Sequence, residues 1–424
     1  MGRMKFDLAT NFDEELLQYL EKVDQKQQVI SLFGKLKSDP VGGGRASVAL
    51  SDVSLEQIEQ YNRRCQAMGI HLNYLLNPLT LNNQDVVAQE HRELMKFVGI
   101  LRDIGIEWIT VCSPYLLNLV KKQFPHMKVT VGVYAYVGSL SKAKSWIDMG
   151  ADEITLTESC TRNFAFLERI LKMYCKREVN FRLIANNGCL HECPYALNHA
   201  GTVSASSRSG DSSRRGYYDV SLVGCYSRKL SKPANMIASD WIRPEDLHFY
   251  EELCEKTGNN RLIIKLVERT KSTKFLKNVL DAYLQEKYER NLLDLMNWIG
   301  NDTENRKLDL SGYMEALRKG ELDGKTLIQY SSFLQLPDLY IDNKKLDGFM
   351  EHFIHNYACD RKSCWLEEGM PEEGREEYCF YCREWAKRVV SVPQGKEYER
   401  WLRNADELKE SFNNSRLFPG GSGV

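Results

Sequence analysis

Eight short β-rich runs, most of them followed by a stretch of helical periodicity, fill the first 270 residues and limit what this chain can fold into. They read KFDLAT, QVISLFGKL, IHLNYLLNP, EWITVCSP, KVTVGVYAYV, DEITL, NFRLIAN and RLIIKLVE. Near-continuous apolar runs of this kind suit strands covered on both faces. Between them, SLEQIEQYNRRCQAMG opens on a Ser cap and closes on Gly, and NQDVVAQEHRELMKFVGILRDIG also closes on Gly. SLSKAKSWIDMG and TRNFAFLERILKMY continue the alternation. It predicts an α/β fold with a parallel sheet under helices, and eight strands predict a (β/α)8 TIM-barrel-like domain. A doubly wound open sheet is the alternative. No GxGxxG follows the first strand, so a dinucleotide site has no support. VGGGRASVAL at 41–50 lacks the Lys-Ser/Thr of a phosphate loop and reads as a turn.

Two stretches break the alternation. Residues 200–218, AGTVSASSRSGDSSRRGYY, are rich in Ser, Gly and Arg and read as a long loop inside a cluster-bearing segment, 186–232. After residue 270 the pattern turns helical, and KSTKFLKNVLDAYLQEKYERNLLDLMNWIG reads as one long amphipathic segment. The expected organisation is a barrel over 1–270, a helical extension over 271–345, a cysteine-rich module over 346–400, and a final helix and flexible tail over 401–424.

Charge is nearly balanced, with 57 basic and 58 acidic residues, so no global field argues for nucleic acid or membrane. RNA is not excluded, because a local patch would suffice. No run has signal-peptide or membrane-span character, and a cytoplasmic location is the default. There, twelve cysteines are expected as thiols rather than disulfides. Cys112 and Cys254 sit in apolar patterns and read as core.

Two cysteine groups do not. Cys189 and Cys193 follow the strand NFRLIAN in ANNGCLHECPYALNH, at the strand edge where α/β folds collect their chemistry. Cys225 lies beyond the Ser/Arg-rich stretch. Three thiolates are one short of a cubane set. His191, His199 or Asp240 could supply the fourth ligand, or the position could stay open to substrate. Ordinary buried thiols are the alternative. The second group, Cys359, Cys364, Cys379 and Cys382, forms two pairs within 24 residues, a pattern suited to structural zinc or a second [4Fe-4S] cluster.

The order of features resembles the collagenase-like peptidase family U-32, whose members include RNA hydroxylation proteins and paired proteins of oxygen-independent ubiquinone synthesis. Three blocks carry the resemblance: LRDIGIEWITVCSPYLLNLVKKQFPHMKVTVGVYAYVGSLSKAKSWIDMGADEITLTESCT, LIANNGCLHECPYALNH with RRGYYDVSLVGC, and ANMIASDWIRPEDLHFYEELCEKTGNNRLIIKLVERTKSTKFLKNVLDAY. It implies a barrel with a [4Fe-4S] cluster at its mouth, held by Cys189, Cys193 and Cys225. The family's fourth cysteine is missing from MIASDWI, and Glu268 stands where the family has a glycine before Arg269.

The resemblance implies an iron–sulfur-dependent oxidoreductase, for example an oxygen-independent hydroxylase acting on a peptide, a nucleic acid or a small molecule. Arg208, Arg214, Arg215, Arg228, Lys229 and Lys232 would roof the mouth and receive an anionic or peptide substrate. Asp240 and His199 are candidates for proton transfer. Glu268, Arg269 and Lys265 lie on or after the last strand, so at least one should face the interior. A peptidase is the second reading. A partner or electron-transfer subunit, using the C-terminal cysteines for docking or relay, is the third.

Overall fold

The computed structural model describes residues 3–209, 218–300, 302, 310–356, 380–414 and 416. Eight parallel strands close into a barrel in sequence order. They are β1 Lys5–Ala9, β2 Val29–Gly34, β3 His71–Leu76, β4 Trp108–Val111, β5 Lys128–Val131, β6 Glu153–Thr155, β7 Asn180–Ile184 and β8 Leu262–Leu266. All eight expected strands are present, and β8 pairs with β1 to complete the ring.

The first six barrel helices are α1 Glu14–Val23, α2 Leu55–Ala67, α3 Ala88–Asp103, α4 Pro114–Gln123, α5 Leu140–Asp148 and α6 Phe164–Met173. Ser54 and Gln57 form a reciprocal capping box that starts α2 where the sequence places its cap. The segment read as a long loop holds α7, Ala196–Ser206, and α8, Val220–Ser231. That expectation is corrected: a helix covers 196–206, and residues 210–217, with Arg214 and Arg215, lie outside the described residues. Then come the short α9, Ala234–Ala238, and α10, Leu247–Thr257. The expected single segment after 270 is also divided. Helix α11, Thr273–Gln285, stops where Glu286 turns left-handed at φ 55, and packs against α1 as the last barrel helix.

The barrel interior carries a polar belt, one residue from each strand. Asp7 accepts from Ser31 at 2.6 Å and from Arg182 at 2.7 Å, and pairs with Lys265 at 2.5 Å. Arg182 also pairs with Glu153 at 2.5 Å, and Thr130 donates to Glu153 at 2.8 Å. Asn73 links Thr110 and Thr130 at 2.8 and 2.9 Å. Charges this deep persist only when each is matched and hydrogen-bonded.

The C-terminal region packs against the barrel's flank. Its two short strands, Tyr340–Ile341 and Val390–Ser391, pair antiparallel. Arg162, 2% exposed, lies over the Trp241 ring at 4.3 Å and over Phe349 at 5.0 Å. It donates to the carbonyls of Ile237 and Trp241 at 3.1 and 3.2 Å, so its charge is met by backbone and π-faces together. Cys382 is buried on the helix Phe380–Val389, which packs on α9. Cys359, Cys364 and Cys379 lie outside the described residues.

Candidate functional site at the barrel mouth

The Asn186-Asn187-Gly188 step turns the end of β7 into a mounting for Cys189. Asn186 is buried and joins three backbones: it donates to the carbonyls of Val267 and Leu295 at 3.0 and 2.9 Å and accepts from the Val267 amide at 2.7 Å. Asn187 accepts from the Cys189 amide at 3.2 Å, an Asx turn that starts the cysteine loop. Its amide group donates to Glu158 at 3.1 Å.

Helix α8 brings the third thiol. Asp219 caps it by accepting from the Leu222 amide at 3.0 Å. Gly224 lets the cysteine loop close on it. A Cβ there would sit 2.6 Å from Cζ of Tyr195 and 2.8 Å from its hydroxyl, so only glycine admits this approach. One residue later stands Cys225, and one helical turn on is Lys229, 3% exposed and close enough to the Cys225 sulfur to be acted on by it.

Cys189 lies within electrostatic reach of Cys193, Cys225, Lys229 and Glu158. By surface it is the most open of the three, yet enough protein rings it that burial, with Glu158 and the other thiols adding, pushes its pKa up to about 12. Burial raises Cys193 too. Lys229 is held charged, because the neighbouring sulfurs and Tyr226 outweigh its burial. Among the described residues, no three His, Cys, Asp or Glu side chains gather closely enough to hold a single metal ion.

Glu158, after β6, is a site residue the sequence reasoning missed. Its signal was position, since strand ends are where such barrels place chemistry. Burial, reinforced by Asp240, raises it to about 7. Asp240 is 4% exposed and holds His191 by Nδ1 at 3.0 Å. Burial works against the imidazolium, but Asp240 and Glu192 outweigh it and raise the His191 pKa. His199 bonds Asp219 at 2.6 Å, which ties α7 to the start of α8.

A second charged group sits where β2 and β8 end. Lys35 and Asp39 pair at 2.8 Å with both side chains fully buried. Glu268 pairs with Arg45 at 3.4 Å and also accepts from Thr270. Its backbone lies at φ 108, a conformation suited to glycine, which the related family carries there. Strain of this kind costs about 1–3 kcal/mol and persists where surrounding contacts enforce it. Burial would raise the Glu268 carboxyl, but Arg45, Thr270 and Lys271 hold it down at about 2. Between its usual 4.5 and about 2, the folded state therefore binds fewer protons than the unfolded one, and the stability it contributes is lost as pH falls through that window. Glu268→Gln should be less stable than wild type at pH 6 and should converge on it towards pH 2.5, measured as urea midpoints across that range.

The basic stretch expected to roof the mouth is in part already engaged. Arg208 donates to the carbonyls of Val41 and Thr80, at 3.4 and 3.1 Å, and Lys229 is buried beside Cys225. Arg228 lies 5.8 Å from the Tyr195 ring centroid.

A closed parallel (β/α)8 barrel with a thiol-bearing mouth is the class these elements define. The chain is 26% identical over 354 residues to the uncharacterized protease MJ1657 of Methanocaldococcus jannaschii, covering 83% of this chain and 86% of that one. The resemblance to the U-32 peptidases drawn from the motif blocks is borne out. The solved structure of the U32 peptidase Mk0906 is similar over 63% of this chain and 95% of that one, with 15% identity and a TM-score of 0.44. A phosphodiesterase structure from Galdieria sulphuraria, titled a glycerophosphodiester phosphodiesterase with its assignment provisional, matches 46% of this chain and 91% of that one, at 11% identity and a TM-score of 0.30. No family model matches the chain. No helix among the described residues is long and apolar enough to cross a membrane.

Proposed function

We propose that the barrel mouth binds a [4Fe-4S] cluster through Cys189, Cys193 and Cys225, and that the protein uses it to modify a substrate by redox chemistry. The observation that carries this reading is the convergence of three thiols from β7's exit and α8 around the buried cation Lys229. A single zinc needs its ligand atoms within about 2.0–2.3 Å of one point. Among the described residues no three such side chains gather that closely, and Cys189, Cys193 and Cys225 lie within electrostatic reach of one another. When bound, such a cluster supplies one-electron chemistry or, with a non-cysteine fourth position, an iron open to substrate.

The chain's own residues have separable tasks in this reading. Lys229 offsets the charge of the thiolates. Burial pushes the Cys189 and Cys193 thiols up, so loading them releases protons. Asp240 holds His191 and Asp219 holds His199, each as a carboxylate holds a ligating imidazole, so both stand as candidates for the fourth position. Glu158, near 7, can take or return a proton at the mouth, held by Asn187. Cys359, Cys364, Cys379 and Cys382 would hold zinc or a second cluster.

A peptidase is the second reading, favoured by the name of the Methanocaldococcus relative and by a carboxyl near 7 that could serve as base for water. The thiols themselves are pushed away from the range a cysteine nucleophile needs. Anaerobic purification with iron, sulfide and zinc analysis separates the readings. About four irons with zinc supports one cluster and a structural site, and about eight supports two clusters. An iron-free protein that cleaves peptides would establish the second reading.

A further inference from the structure

The guanidinium of Arg269, one residue past Glu268 at the end of β8, is buried without a hydrogen-bond partner at either terminal nitrogen. Its side chain is 4% exposed, and neither Nη1 nor Nη2 has a partner. Such groups are ordinarily satisfied by protein, by an ordered water or by an ion. The local carboxylates are already used. Asp39 accepts from the amides of Val41 and Gly42 with one oxygen, and from Tyr74 and Lys35 with the other. Glu268 is held by Arg45 and Thr270. Cations outnumber the two carboxylates here: Lys35, Arg269 and Arg45 stand about Asp39 and Glu268, with Arg208 and Lys271 near enough to act on the group.

A glycine backbone packs closely against Lys35. Gly43 passes so near Lys35 and Asn77 that a Cβ would lie 3.0 Å from the Lys35 ammonium and 3.3 Å from Asn77 Oδ1. The Gly43 amide is fixed by Ser207 at 2.8 Å, so the glycine turn read from the sequence is a pinned wall of the mouth.

We propose that Arg269 and Lys35 form an oxyanion subsite that holds a carboxylate or phosphate group of the substrate. A planar fork of two N–H donors matches two oxygens of such a group, and a lysine adds a point charge beside it. The subsite is carried by the ends of β8 and β2, its donors are not cysteines, and its binding does not depend on a cluster being present. Burial lowers Lys35 to about 8 against the opposing pull of Asp39, with Arg269 and Arg208 adding to the fall, so binding should weaken as pH rises from 7 to 9.

Thermal shift and calorimetric titration with malonate and with inorganic phosphate, against sodium chloride of equal ionic strength, test this. The wild-type chain should show saturable binding of one or both probes, and which one binds distinguishes carboxylate from phosphate. Arg269→Gln should abolish it. Arg269→Lys, which keeps the charge and loses the fork, should weaken it about ten-fold. Metal-free wild-type protein should bind the probes as the metal-loaded protein does, which separates this subsite from the cluster. Lys35→Met serves if Arg269→Gln does not fold. No saturable binding beyond the chloride control, or equal binding by Arg269→Gln or by Lys35→Met, overturns the proposal.

Discussion

Asp7→Ala should destabilise the barrel by about 3–5 kcal/mol, the range for stripping one partner from a buried ion pair. Asp7 is fully buried and is matched by two cations, Arg182 at 2.7 Å and Lys265 at 2.5 Å. Arg182 retains Glu153 in the variant, whereas Lys265 loses its only carboxylate partner among the described residues. The loss should depend on pH in a defined direction. Burial already lowers Lys265 to about 8, against the pull of Asp7, and removing Asp7 lowers it further. Above that value the folded chain binds fewer protons than the unfolded one, so stability rises with pH until lysine deprotonates in both states. The deficit measured by urea unfolding should therefore shrink as pH rises to about 8, where wild-type Lys265 deprotonates as well, and stay constant above that. The double variant Asp7→Ala with Lys265→Met should recover part of the loss at every pH, because no charge is left stranded. A deficit that is constant with pH would mean that lost packing, rather than an unmatched ammonium, sets the cost.

Cys225→Ala should abolish cluster binding while the barrel stays folded, since the thiol lies outside the strands. Gly224→Ala is the more discriminating change, because it keeps every thiol. The added methyl meets the Tyr195 ring at 2.6 Å and must move the cysteine loop away from α8. Supports of this kind typically cost 10–100-fold in metal affinity when lost. Iron per chain after anaerobic reconstitution at limiting iron should fall about ten-fold, with little change in thermal midpoint. Unchanged iron in Gly224→Ala would separate the loop's approach from the binding site.

What could be read from the sequence, and what could not, follows from the range of the interactions. The strands were legible because an apolar run announces itself locally. The polar belt was not: each strand contributes one polar residue inside an apolar run, and its partner is set by barrel closure, 258 positions away for Asp7 and Lys265. The part of α7 inside 200–218 reads as loop in the sequence because that stretch as a whole is rich in Ser, Gly and Arg. Its serines return to its own carbonyls, Ser204 to Ala200 at 2.6 Å and Ser206 to Val203 at 3.0 Å, and Ser204 also accepts the Leu79 amide. Cys189, Cys193 and Cys225 were picked out by position, and the chain does place them at one end of the barrel. Their support was hidden. The role of Gly224 is visible only once Tyr195 is seen above it, and Glu158 needed β6 to end beside β7. Arg269 and Glu268 were named as candidates, but that one is unmet and the other strained is legible only in three dimensions. Asp240 and His199, grouped as proton-transfer candidates, divide: Asp240 serves His191 near the thiols, whereas His199 ties two helices together.

The central claim is that the barrel mouth holds a cluster, and electron paramagnetic resonance of anaerobically purified, dithionite-reduced protein tests it most directly. Wild-type protein should give the spectrum of a reduced iron–sulfur cluster, and the mouth cluster's signal should persist in Cys382→Ala and disappear in Cys225→Ala. A spectrum without a cluster signal in wild type, or one that survives Cys225→Ala unchanged, would contradict it.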